Sequence, residues 1–139
     1  MLYLLIIAAC LLLVAGAAKS AVDIMSHQPD NNIFMNWGPF FDNRSSWKFK
    51  YKNYDAGDLR ARFFGSKTWA AMFTDFWHLC DFIYLKAYLG AGLAAGAALA
   101  QRAAPWWAYA LVIVAAGIEM GGIFELLYRR VFRIRPVAE

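Results

Sequence analysis

Charge is missing from three long stretches of this chain. Residues 1–18 carry none, residues 83–100 carry only Lys86, and residues 105–127 carry only Glu119 and Glu125. Each stretch is about as long as the ~20 residues a helix needs to cross the hydrocarbon core. Such a chain is not a water-soluble domain. Its 139 residues leave room for one small helical domain and none for a separate soluble enzyme. The common catalytic motifs are missing as well: there is no Gly-x-Ser-x-Gly, no His-Glu-x-x-His, no phosphate-binding Gly loop and no Cys-x-x-Cys. Nucleophilic catalysis of the usual kinds is therefore without support. Cysteine is scarce. Cys10 and Cys80 lie in or beside apolar segments with no metal-type spacing, which favours buried free thiols over a disulfide.

What is present is apolar, small and aromatic, with 61% hydrophobic residues and 10 glycines. The pattern predicts an all-α integral membrane protein with three transmembrane helices and one long cytoplasmic loop. Helix one spans about 2–27, the loop 28–67, helix two about 68–100 and helix three about 105–131. The first run lacks the basic start of a secretory signal, so a retained span or anchor is expected. Helices in lipid pack through close approach of small side chains. Gly92-x3-Gly96 and Gly117-x3-Gly121 have the spacing for such a crossing.

Basic residues set the expected orientation. Lys19, Arg44, Lys48, Lys50, Lys52, Arg60, Arg62 and Lys67 lie between the first two spans, and Arg129, Arg130, Arg133 and Arg135 lie in the tail. The turn between spans two and three has only Arg102. The positive-inside rule makes the loop and tail cytoplasmic and the N-terminus external, in what is expected to be a bacterial inner membrane.

Within the loop, 29–32 reads as a helix stop and turn, and 37–41 is aromatic. Residues 46–53 alternate lysine with aromatic, which in an extended strand puts cations on one face and rings on the other. Beside a bilayer, Trp47 would sit at headgroup depth while Lys48, Lys50 and Lys52 meet anionic lipid headgroups. In water the same segment could be an edge strand. A nucleic-acid partner is not expected. Ser66 and Thr68 can cap helix two, which from 68 to 100 would measure ~50 Å and project beyond the bilayer core. Pro105 suits the first turn of helix three.

Helical spacing gathers the remaining charges into columns. Lys19, Asp23 and His27 share a face of helix one, and Asp75 and His78 share a face of helix two. Both Asp–His pairs are expected at one depth, near the cytoplasmic boundary. Asp23, His27, Asp75 and His78 could then supply four ligands to a divalent, zinc-like metal. The plainer alternative is a network of ion pairs and hydrogen bonds. Equal rises from the 101–105 turn place Lys86 level with Glu119, which predicts an intramembrane ion pair. Otherwise Lys86 snorkels to the interface, and Glu119 is protonated, faces a partner subunit or faces a polar cavity.

The combination of Ser46-Trp47-Lys48-x-Lys50-Tyr51-Lys52-Asn53, Gly65-Ser66-x-Thr68 and Thr74-Asp75-x-Trp77-His78 resembles a family of small bacterial integral membrane proteins of uncharacterised function. The resemblance covers roughly residues 19–80. It implies an Asp and a His at the end of the first helix, where Asp23 and His27 stand, and carries no activity with it. The leading functional expectation is a small membrane subunit of a homo-oligomer or larger complex, with a polar cytoplasmic-face site. The rivals are a membrane-embedded, metal-dependent enzyme acting on an anionic lipid headgroup, and an ion or proton path through Glu119.

The charge bias generates a first prediction. Cysteines introduced at Asn53 and Ala138 should be labelled from the same side of the membrane, and one at Ala103 from the other. Labelling of Asn53 and Ala138 from opposite sides would overturn the three-span topology.

Overall fold

The computed structural model describes residues 1–134; Arg135 and Ala138 lie outside the described residues. Three helices dominate: α1 (Leu2–His27), α2 (Phe76–Ala100) and α3 (Trp106–Leu126), the last continuing as a π-helical turn over Leu127–Phe132. All three are long and apolar enough to cross a membrane. The chain is thus an all-α, multi-pass integral membrane protein. Between α1 and α2 lie 3-10 turns and one two-stranded antiparallel hairpin, β1 (Tyr51–Asn53) with β2 (Asp58–Ala61).

Helix α1 is the centre of the bundle. It packs extensively on α2 and also on α3, whereas α2 and α3 barely meet. Its buried residues include Ala8, Ala15, Gly16, Ala18 and Ala21, and α2 answers with Ala87, Ala91, Ala95 and Ala98. Small side chains at three- and four-residue spacing let the two backbones close on each other, which is how helices associate where lipid is as apolar as they are. On α3 no residue is buried.

Glycine is required where α3 reaches α1. A Cβ on Gly16 would collide with Ile123 Cγ2 and sit 3.0 Å from the Met120 carbonyl oxygen. The expected Gly-x3-Gly crossings are not used within the chain. Gly92, Gly96, Gly117 and Gly121 each face open space, with nothing within 4 Å of an added Cβ. The spacing alone could not locate the crossing, because alanines serve equally well wherever the backbones only need to come near.

The 28–75 segment and the end of α3 close one end of the bundle together. The Ile33 N–H donates to the Phe132 carbonyl at 2.9 Å, and the Ile134 N–H to the Asn31 carbonyl at 3.3 Å. Asn32, 2% exposed, fixes the turn. Its amide donates to the Gln28 and Pro29 carbonyls, and its side-chain oxygen accepts from the Phe34 N–H. The buried Phe34 ring then packs among Trp37, Phe41, Phe76 and Phe132.

Two expectations for this segment need correction. Helix two begins at Phe76, not near 68, so it runs 25 residues, or roughly 37 Å. The residues expected to cap it are occupied elsewhere. The buried Ser66 hydroxyl donates to the Lys50 carbonyl and ties the turn to the hairpin, while Thr68 Oγ1 donates back to the Gly65 carbonyl. Gly65 itself holds φ +80 with the Trp69 ring against it, a place no Cβ fits. The second correction concerns 46–53. Ser46–Lys50 is a 3-10 turn and only Tyr51–Asn53 is strand. Cations and rings are consequently interleaved, not sorted to opposite faces. Lys48 Nζ lies 5.1 Å from the Tyr54 ring, Lys67 Nζ 5.2 Å from Tyr51, and Arg62 5.7 Å from Phe49.

A second prediction concerns Gly16. Gly16→Ala forces Ile123 aside, an overpacking cost of about 1–3 kcal/mol against the up to ~1 kcal/mol that alanine gains over glycine in a helix. The variant should therefore melt earlier in detergent, and adding Ile123→Ala should recover part of the loss. Strictly additive effects would mean that α3 does not rest on α1 at this point.

Candidate functional site

At the closed end of the bundle lies a polar pocket of about 200 Å³. Helix α1 contributes Ser26, the loop contributes Asn43, Ser46 and Trp47, and the start of α2 contributes Asp75, Trp77 and His78. Each is placed by a local hydrogen bond. The Ser26 hydroxyl donates to the Val22 carbonyl and accepts from Trp77 Nε1, both at 2.9 Å. Asn43 Nδ2 donates at 2.7 Å to the Met25 carbonyl, one of the carbonyls that α1 leaves without a helical partner. Trp47 Nε1 donates to the Arg44 carbonyl at 3.0 Å.

Asp75 is the pivot. It is extended (φ −159, ψ 163), stands as N-cap of α2 and accepts the His78 backbone N–H at 2.8 Å. The Phe76 N–H that follows donates to the Phe40 carbonyl. Only 1% of Asp75 is exposed, yet its oxygens are well served. His78 Nδ1 lies 2.9 and 2.7 Å from Oδ1 and Oδ2. The Thr74 hydroxyl is 3.1 Å from Oδ2 and 2.6 Å from the Ala71 carbonyl, with one proton to give to either. Burial alone pushes the Asp75 carboxyl up. The hydrogen bonds from the His78 ring and backbone, the electrostatic attraction of His78 and the Thr74 hydroxyl outweigh it and hold the carboxyl below its ordinary value.

With Nδ1 donating to the carboxylate, His78 keeps Nε2 for the pocket. It is an acceptor while the ring is neutral and a second donor once protonated. The chemistry on offer is that of a fixed imidazole beside a buried carboxylate: accepting a proton, or binding a polar or anionic group.

The other half of the expected constellation is not there. Asp23 is held by Lys19 in an ion pair along α1, and His27 is exposed on the last turn. Among the described residues no three His, Cys, Asp or Glu side chains come together as a metal group would need. The reason is helical phase. The α1 face that meets α2 here carries Val22 and Ser26. Asp23 and His27 each follow one of those by a residue, so their column is turned roughly 100° away.

Lys86 and Glu119 do not pair either. The Lys86 ammonium lies 5.5 Å over the Phe82 ring on its own helix. Glu119 lines a separate cleft. A pair at equal depth needs α2 and α3 to face each other, and here α1 is the neighbour of both.

Of the expected headgroup residues, Trp47 packs with Tyr54, and Lys48 reaches Asp55 at 3.4 Å. Lys50 is half-buried and Lys52 exposed. More of the exposed aromatic surface lies further on, at Phe63, Phe64, Trp69 and Phe73, beside Arg62 and Lys67. Phe64 is 88% exposed. These rings, with Ser26 and Asn43, were not singled out from sequence. Ser46, Trp47, Asp75, Trp77 and His78 all belong to the motif segments quoted above, and the fold gathers them in one pocket. Comparison with known protein families, curated proteins and solved structures finds no match for this chain.

Asp75 supplies a third prediction. A carboxylate held below its unfolded value contributes stability that is full above that value, ~3.9, and is lost as pH falls through the folded one. Asp75→Asn keeps a capping oxygen but no charge. It should lower thermal stability at neutral pH, and the gap from the native protein should close on acidification below about pH 4. Asp75→Ala, losing the cap as well, should cost about 1 kcal/mol more. A gap between the native protein and Asp75→Asn that stays constant with pH would show that the carboxylate charge contributes nothing.

Proposed function

We propose that this protein is a small subunit of a membrane assembly, built from further copies of itself or from other membrane chains. It would present the Asp75–His78 pocket at the cytoplasmic face. The observation that carries this reading is the state of α3. None of its residues is buried, and neither Gly117, which is exposed, nor the half-buried Gly121 has an atom within 4 Å of a would-be Cβ. Ala110, Val114, Gly117 and Gly121 fall on one stripe of that helix. Glycine weakens helices without a packing reason, and a close helix crossing is such a reason.

The orientation follows from the positive-inside rule. The loop and the end of α3 are at one end of the bundle and carry most of the basic residues, so that end is taken as cytoplasmic. There, Phe63, Phe64, Trp69 and Phe73 would enter the headgroup layer. Arg60, Arg62 and Lys67 would meet its anionic lipids, with Lys50 and Lys52 adding to the field. The pocket then opens beside lipid headgroups, where a histidine Nε2 can meet a phosphate or a partner's polar group.

The fourth prediction tests the assembly. Native mass spectrometry or single-molecule counting in nanodiscs should find more than one copy per particle or a co-purifying membrane chain. Gly117→Leu with Gly121→Leu should reduce the protein to a lone monomer while leaving its helical content unchanged. A native protein that is already a lone monomer would overturn this reading.

A further inference from the structure

Away from the polar pocket, the half of the bundle nearer the 101–105 turn contains a cleft of about 400 Å³. It exists because α2 and α3 each pack on α1 and hardly on each other. Leu5, Ala8 and Leu12 of α1 form its floor, and α2 and α3 form its walls. Gly92 and Gly96 widen it, since neither has an atom within 4 Å of a would-be Cβ. The apolar remainder of the walls is alanine, leucine, valine and isoleucine, with Tyr88 and Tyr109 adding two rings.

One charged residue lines this space. Glu119 lies about two thirds of the way along α3 from Trp106, which is membrane depth. It is half-buried and enters no ion pair among the described residues. Lys86 is exposed and turned to Phe82. A carboxylate in such a place is expensive and usually marks function.

We infer that this cleft is a binding site for a lipophilic organic monocation, an apolar body carrying a single ammonium or phosphonium centre set against Glu119. Charge complementarity selects that class. A lipid acyl chain would fill the apolar volume but leave the carboxylate without a counter-charge. A calcium or magnesium ion takes six or more oxygen ligands, and these walls offer a carboxylate and two phenols. A helix from another chain is 10–12 Å across with its side chains and does not fit about 400 Å³. That volume is in the range of small-ligand sites, which pair apolar walls with a few placed polar groups. Of the two rings in the walls, Tyr88 can add the attraction of a cation to a π-face. Tyr109, ten residues from Glu119 on α3 and roughly 15 Å along the axis, can meet only the apolar body.

Tetraphenylphosphonium and tetraphenylborate have nearly the same shape and opposite charge, which makes them suitable probes. Equilibrium binding is measured with the full chain in nanodiscs of zwitterionic lipid. The cation should bind saturably at one site per chain, and the anion should not. Glu119→Gln should weaken the cation at least tenfold. Gly96→Val, which fills the cleft from a position with room for it, should do the same with an unchanged helical spectrum and melting temperature. Gly122→Ala, outside the cleft, should leave affinity unchanged. The inference is overturned if the anion binds as tightly as the cation, or if either Glu119→Gln or Gly96→Val binds like the native chain.

Discussion

The packing of α1 against both other helices is the constraint on which this structure rests. Lipid gives helices no hydrophobic reason to associate, so contact area must come from close approach. Close approach requires small residues on the facing sides. Helix α1 has them along its length, from Ala8 through Ala15, Gly16 and Ala18 to Ala21, and α2 matches with four alanines. Helix α3 comes closest at Gly16, with Ile123 and Met120, and it also packs Val112 and Ala116 against the Ala8–Leu12 cluster. Hence α2 is seated over more of α1 than α3 is. The space left between α2 and α3 is a consequence of that inequality.

The second dependence runs through Asp75. A carboxylate with 1% exposure is tolerated only where hydrogen bonds replace its water. Asp75 obtains them from the first turn of α2, which its own extended backbone makes possible. The same residue therefore ends the loop, starts the helix and orients His78. Removing its charge would disturb fold and site together, so the pocket is not a feature added to a finished scaffold. The loop contributes equally. Phe34 and its neighbouring rings bury the end of the bundle, and Asn43 caps α1 while lining the pocket.

The sequence made the spans legible because long uncharged runs have one physical meaning. The start of α1 and the nearness of α3 to Pro105 follow from the same signal, and the end of α1 at His27 from the stop at 29–32. The start of α2 does not. Ser66 and Thr68 are as good capping residues as Asp75, and only the hairpin, which claims the Ser66 hydroxyl through the Lys50 carbonyl, decides between them. Asp75 with His78 was legible because three residues on one helix fix a local geometry. Asp23 and His27 were matched to them by depth alone, and depth says nothing about the roughly 100° of rotation that separates their column from the Val22–Ser26 column. Lys86 and Glu119 failed in the same way. Rise along a helix is set by residue number, whereas the facing side is set by which neighbour offers the smaller residues.

This distinction also explains why the polar features sit in two separate places. The pocket of Asp75 and His78 lies below the Gly16–Ile123 contact, where α1 carries Ala18, Ala21, Val22, Ile24 and Met25 into a filled core. Glu119 lines a cleft above it, where α1 offers Leu5, Ala8 and Leu12 and the core is thin. The two spaces share no lining residue. Coupling between them would require α3 to tilt about its close contact at Gly16. Motion at that point would widen or narrow the cleft while shifting Phe132, which bonds through its carbonyl to Ile33 and packs against Phe34 above the polar pocket.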